Sequence, residues 1–166
     1  MPEITVCGNV TRTMNTPNMD GLTFESYDPE LAAHLLDPER DLLDGISGYL
    51  GIRMVDVGPG WAAAELEARD ELVHRFGVLH GGAVATLVDQ VLGSAIYPVV
   101  PAGTWPATLE FKLNYLAPVR GGVVRAVSRV VGMTSRTAVV HVDVTNDGRP
   151  VAVALGTISL NPPKPD

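Results

Sequence analysis

The chain has 166 residues, 46% of them hydrophobic, which suits one domain with one core and is short for two. Its formal charge of −7 argues against nucleic acid as the main partner, because phosphate binding needs a basic surface. Cys7 is the only cysteine, which excludes an intrachain disulfide and a cysteine-rich zinc site. It has no neighbouring base to activate it and is interpreted as incidental.

The N-terminal part of the sequence predicts an extension. Residues 1 to about 26 are polar and aperiodic, which indicates an arm or a disordered tail, and they lack the pattern of a secretory signal. Asp28-Pro29-Glu30 combines a cap, a proline and an early acid, which predicts a helix through LAAHLL. A second short helix is expected from Pro38 to about Tyr49.

We divide the chain into this extension, residues 1–45, and a domain, residues 46–162. The extension is expected to pack across the domain. The longest apolar stretch, Gly81 to Val100, is interrupted by Asp89, Gln90 and Pro98, so no membrane span is predicted. A cytoplasmic protein is expected.

From Gly51 onward the pattern is typical of strands. GIRMVDV and WAAAELEA flank the turn Gly58-Pro59-Gly60, which predicts a hairpin. One helix is predicted from His80 to about Val99, and Asn146-Asp147-Gly148 predicts a tight turn between the last two strands. The four strands expected after the helix are Thr108 to Leu116, Val123 to Val131, Thr137 to Thr145 and Val151 to Leu160.

This order of elements predicts the α+β class. A hairpin, one long helix and a run of strands follow each other without β-α alternation, so one apolar helix is expected to be wrapped by a curved antiparallel sheet. In the strand after the helix, Leu109, Phe111, Leu113 and Tyr115 alternate with polar residues, which predicts one buried face.

The predicted long helix carries two features with chemical potential. Asp89 is the only charged side chain between Gly81 and Leu109, and a carboxylate on so apolar a helix needs a solvated pocket, a partner or a proton. His80-Gly81-Gly82 begins the helix, where the first N–H groups have no helical acceptors and can hold the oxygen of a polarised carbonyl. Each feature also has a purely structural explanation: in this alternative, Asp89 caps a neighbouring element or pairs with an arginine elsewhere, and the glycines only permit close packing against the sheet.

Together these residues form the pattern HxxxxxHGGxxxxxxD, which begins at His74 and ends at Asp89. The pattern resembles the hotdog-fold thioesterases of the phenylacetyl-CoA pathway type. The resemblance extends over most of Gly51 to Leu160, including LEFKLNYLAPV, SRT and VAVALGTISL. It implies a hotdog fold, hydrolysis of an acyl-CoA, and no metal or redox cofactor.

The resemblance also implies roles for individual residues. Asp89 matches the family's nucleophile or general base, and the Gly81 N–H matches the donor that polarises the thioester carbonyl. His80 would fix the helix start, and Thr108 would orient the attacking water. His74 stands where the family usually carries Asn or Gln, so its role as a hydrogen-bond donor or as a surface residue is open.

Contacts to the CoA part of the substrate are expected from Gly82, Arg120 and Arg136. The stretch from Phe111 to Val142 contains five cations and no acid, and the two arginines lie at turn or strand-start positions. The alternative is that these arginines are solvated surface charges.

Helix geometry bears on assembly. Residues 80 and 89 are separated by about 13.5 Å of helical rise and lie on opposite faces, so Gly81 and Asp89 of one chain cannot act on the same carbonyl. A site that uses both needs two subunits, which predicts at least a homodimer, with a tetramer also open.

Two other functions stay open: a non-catalytic acyl-CoA sensor and a hotdog hydratase. The acyl group is not readable from the sequence.

Overall fold

The computed structural model describes residues 22–24, 26–37 and 45–163. Most of the predicted N-terminal arm, Cys7 and the predicted helix start at Pro38 lie outside these residues. The described helices and strands, in chain order, are α1 (Pro29–Leu35), α2 (Ile46–Leu50), β1 (Arg53–Gly58), β2 (Trp61–Glu67), β3 (Val73–His74), β4 (Val78–Leu79), α3 (Gly81–Ser94), β5 (Trp105–Tyr115), β6 (Val123–Met133), β7 (Thr137–Asn146) and β8 (Arg149–Asn161).

Six of the strands form one antiparallel sheet in the order β1-β2-β6-β7-β8-β5. The short strands β3 and β4 form a separate two-stranded ribbon just before α3. The predicted α+β class, with one long helix against a curved antiparallel sheet, is confirmed. Strand β5 lies at the edge of the sheet, which the sequence did not indicate.

Helix α3 forms the centre of the core. Its residues Leu87, Val88, Val91 and Leu92 are 0% exposed and pack against the concave side of the sheet. The segment Gly81–Val99 is long and apolar enough to cross a membrane by composition, but 61% of its most apolar window is buried inside the domain. The helix itself ends at Ser94, earlier than predicted, and a 3-10 turn containing Pro98 follows.

Two local predictions about the strands had different outcomes. The turn between β7 and β8 is as predicted, with Asp147 at φ 49° and Gly148 at φ 82°, the left-handed conformations of a type I′ hairpin. The prediction that β5 has a single buried face was wrong in part. A bulge at Leu109 shifts the register between Thr108 and Glu110. Leu109 is 61% and Tyr115 is 56% exposed, whereas Phe111 and Leu113 pack on the core.

The described part of the extension is docked on the domain. The Asp28 carboxylate accepts a hydrogen bond from the Leu31 N–H at 2.9 Å and caps α1, and the Asp28 N–H donates to the Pro98 carbonyl at 2.8 Å. Ala32 is 4% exposed and belongs to the core. The predicted helix after Asp28 is therefore confirmed, and it lies against the turn that follows α3.

Candidate active site

The start of α3 is fixed by His80. This residue is the N-cap of the helix, and its Nδ1 accepts a hydrogen bond from the Gly82 N–H at 3.0 Å. The His80 N–H donates to the Leu72 carbonyl at 2.8 Å. The imidazole thus satisfies one of the first-turn N–H groups that have no helical acceptor.

Gly81 is the first residue of α3 and is in close contact with Tyr115 at the end of β5. The Tyr115 hydroxyl donates to the Gly81 carbonyl at 2.7 Å. A Cβ at position 81 would lie 2.8 Å from the Tyr115 hydroxyl oxygen, so a larger residue there would have to displace the end of this side chain. Burial raises the pKa of the Tyr115 phenol above its ordinary value, which keeps the hydroxyl protonated as a donor at neutral pH.

His74 lies beside this helix start, on the ribbon formed by β3 and β4. Its Nδ1 accepts a hydrogen bond from the Phe76 N–H at 3.1 Å, and its ring lies 6.3 Å from the His80 ring, nearly perpendicular to it. In the neutral imidazole an acceptor at Nδ1 leaves Nε2–H as the donor, by inference from the hydrogen bond. His74 is half-buried and belongs to the Gly81 neighbourhood.

Asp89 is exposed on α3 and opens into a cavity of about 550 Å³. Thr108, near the start of β5, lines the same cavity. No cation among the described residues lies within ion-pair distance of Asp89. The carboxyl group therefore opens into a pocket, as in the first of the three arrangements that the sequence allowed.

Gly81 and Asp89 open into different cavities of the same chain. Gly81 lines a cavity of about 410 Å³ together with Val84, Tyr115 and Pro118, and none of these residues lines the Asp89 cavity. Because His80 is a cap outside the helix, the relevant separation is eight residues, from Gly81 to Asp89. Eight residues correspond to about 12 Å of rise and about 80° around the helix, so the prediction of opposite faces was wrong and the rise alone separates the two groups. One chain therefore carries a donor half and a carboxylate half that do not meet.

The sequence profile of the thioesterase superfamily matches residues 76–153. A Saccharolobus solfataricus protein that is provisionally named an esterase is 30% identical to this chain over 115 residues. The match covers 69% of this chain and 81% of the relative. This chain belongs to the thioesterase superfamily.

Two further comparisons refine this assignment. The solved structure of the phenylacetic acid degradation protein PaaI of Thermus thermophilus, in a mutant form, is 28% identical with a TM-score of 0.63, over 68% of this chain and 95% of that one. The 1,4-dihydroxy-2-naphthoyl-CoA hydrolase of Listeria monocytogenes is 26% identical over 62% of this chain and 84% of the relative. The predicted resemblance to hotdog-fold, PaaI-like thioesterases is confirmed, and the coarse assignment as a hydrolase is supported.

The arginines near the predicted CoA contacts lie in different parts of the domain. Arg120 donates to the Gly77 carbonyl at 3.3 Å, and Arg149 donates to the Pro118 carbonyl at 3.0 Å, so both flank the Gly81 cavity. The Arg136 carbonyl accepts from the Leu160 N–H at the opposite end of the sheet, where β5 begins. Arg125 forms an ion pair with Glu65 at 2.8 Å. The two arginines predicted to contact CoA do not come together within one chain.

Sequence reasoning missed several residues of the two cavities. Tyr115 was assigned to a buried strand face, and only its position opposite α3 indicates the contact with Gly81. Arg149 lay outside the acid-free tract that drew attention to the other arginines. The N-terminal extension was expected to pack across the domain, but no local signal indicated that its helix α1 lines the Asp89 cavity. Helix α1 does so through Leu31, His34 and Leu35.

Proposed function

We propose that this protein hydrolyses the thioester bond of an acyl-CoA to a free acid and CoA. The observation that carries the proposal is the division of the motif between two cavities, one with an exposed carboxylate and one at an open helix start. A relative whose name identifies it as an acyl-CoA hydrolase supports the substrate class. The site would combine Asp89 of one subunit with Gly81 of another.

In the proposed reaction, the Gly81 N–H holds the carbonyl oxygen as it becomes an oxyanion. Asp89 either takes a proton from water, which attacks the carbonyl carbon, or attacks that carbon itself and forms an anhydride that water then cleaves. In both routes the carbon–sulfur bond breaks and CoA leaves as a thiolate, which is then protonated. Thr108 orients the attacking water. The reaction needs no redox cofactor.

A two-fold arrangement of α3 suits this division. Gly82, Thr86, Asp89 and Gly93 follow each other at helical spacing and are exposed or half-buried, so they form a narrow face of α3 that the sheet does not cover. If two such helices pack antiparallel with the axis near Ala85, Gly81 of one chain lies opposite Asp89 of the other. A dimer is the minimum assembly, and pairing of dimers into a tetramer is compatible with it.

The edge strand β5 supports the same interface. Its backbone is unpaired on one side in the described chain, and the exposed side chains Trp105 (64%) and Leu109 (61%) are apolar. Long apolar edges are normally covered, because they otherwise promote aggregation. A second copy of the chain is the proposed cover.

In this assembly Arg120 and Arg136 reach one substrate from different subunits. The subunit that provides Gly81 would also provide Arg120, Gly82 and Arg149. The subunit that provides Asp89 and Thr108 would also provide Arg136. Guanidinium groups at these positions would pair with the phosphates of CoA.

The proposal is tested by measuring thiol release from a panel of acyl-CoAs that includes aliphatic, aromatic and hydroxylated acyl groups. A thioesterase gives steady, enzyme-dependent thiol release with at least one member. Tight binding without thiol release would identify an acyl-CoA sensor. Consumption of an enoyl-CoA with the thioester intact would identify a hydratase, and either result would contradict the proposal.

A further inference from the structure

Helix α1 forms one wall of the Asp89 cavity. Leu31, His34 and Leu35 line it, and their spacing of three and four residues places them on one face of the helix. The opposite side chains of α1 point away, since Glu30 and Ala33 are exposed. The helix thus presents two leucines and a histidine to the cavity that contains the proposed catalytic carboxylate.

The rest of the cavity lining is mainly apolar. Met54 of β1 and Ile158 of β8 contribute aliphatic groups, and Tyr97 and Trp105 contribute aromatic rings that meet edge to face at 6.4 Å. Such a lining favours an apolar ligand over a charged one. Asp89 and Thr108 open into this space, so the apolar group that enters it is the one attached to the thioester carbon.

The wall is held in place and lies before the region that the family profile matches. The Asp28 cap, the hydrogen bond to Pro98 and the burial of Ala32 fix α1 to the domain. The helix lies before residues 76–153, and the PaaI structure is 95% covered by only 68% of this chain. The wall is therefore built by a part of the chain that lies outside the region matched by the profile.

We propose that Leu31 and Leu35 of α1 set the size of the acyl group, and that the preferred substrates are CoA thioesters of extended apolar acids. This inference rests on the proposed thioesterase activity. A medium-chain or aromatic acyl group makes contact with α1 and gains from burial of its apolar surface, whereas an acetyl group is too short to reach it. The preference is a property of the helix wall and not of Asp89 or Thr108.

The test compares kcat/KM for octanoyl-CoA and acetyl-CoA in three variants. Leu35→Trp fills the cavity and should lower the octanoyl-to-acetyl ratio at least tenfold. Leu35→Ala enlarges the cavity and should move the preference towards longer chains, such as dodecanoyl-CoA. Ala33→Trp adds the same ring to the exposed face of α1 and should leave the ratio within twofold of the wild type.

The outcomes separate the inference from the function on which it rests. Opposite shifts in the two Leu35 variants support the wall. Unchanged ratios, or shifts in the same direction that indicate mere detachment of α1, overturn it while thioesterase activity stands. If the wild-type protein releases no thiol from any acyl-CoA, the proposed function itself fails. Circular dichroism and melting curves are used to check that each of the three variants is folded.

Discussion

The start of α3 and its middle are built in different ways. At the start, His74, His80 and Gly81 lie within eight residues of sequence, and local hydrogen bonds to Phe76 and Gly82 hold the two imidazoles. In the middle, Asp89 faces a cavity made by β1, β5, β8 and α1, which are distant in sequence. A sequence motif therefore reports the donor half well, whereas the carboxylate half depends on how the whole chain folds.

The largest expected effect concerns the carboxylate half. Asp89→Asn keeps the volume and removes the base or nucleophile, so kcat should fall by a few orders of magnitude in a thiol-release assay. Because Asp89 is exposed and has no cation beside it among the described residues, the variant should melt close to the wild-type temperature. Turnover close to that of the wild type would show that Asp89 is not the catalytic group.

A smaller loss is expected at the donor half. Gly81 is the first helical residue, where proline is tolerated, and His80 at φ −63° and ψ 131° already has the extended conformation that precedes proline. Gly81→Pro removes the N–H and should reduce kcat about 100-fold. Gly81→Ala is the matched control, because its Cβ meets Tyr115 in the same way but the N–H remains. Equal losses in the two variants would assign the effect to Tyr115 and not to the N–H.

A substitution at Thr108 tests whether its hydroxyl contributes to the reaction at Asp89. Thr108→Val keeps the branched shape that suits β5 and removes the hydroxyl that would orient water. The variant should lose about 1 to 3 kcal/mol of transition-state stabilisation. This value is obtained from the ratio of the kcat/KM values of wild type and variant. An unchanged rate would leave Thr108 as a strand residue that only borders the cavity.

The smallest effect is expected at His74. Its Nδ1 is an acceptor for the Phe76 N–H, which leaves one N–H to donate. An amide can replace that donor, so His74→Asn and His74→Gln should keep most of the activity, while His74→Ala should lose about 1 kcal/mol in transition-state energy. The comparison is made with kcat/KM at one pH. The same rate in all three variants would make His74 a surface residue.

The sequence predicted the elements because their signals are local. Alternating apolar residues indicated the strands, Asn146-Asp147-Gly148 indicated the hairpin, and the apolar run after His80 indicated the central helix. The end of that helix and the buried face of β5 were less well predicted. Pro98 and the bulge at Leu109 interrupt both patterns, and the cost of a bulge depends on the neighbouring strand.

For the candidate site, too, the sequence predicted the local features and missed the contacts between distant segments. The motif indicated Gly81 and Asp89, and helical rise was sufficient to separate them. It did not indicate that Tyr115 supports the helix start or that α1 closes the other cavity, because both contacts arise from packing between remote segments. Such contacts leave no periodic trace in a single sequence.

The central claim is that one active site draws its oxyanion donor and its carboxylate from different chains. Its most direct test mixes Asp89→Asn chains with Gly81→Pro chains under conditions in which subunits exchange, with assembly followed by sedimentation. Each mixed dimer holds one site with both lesions and one with neither, so random exchange should restore about a quarter of wild-type activity, since about half of the dimers are mixed. If the chains exchange and activity stays at the level of the separate variants, each site lies within a single chain and the account is wrong.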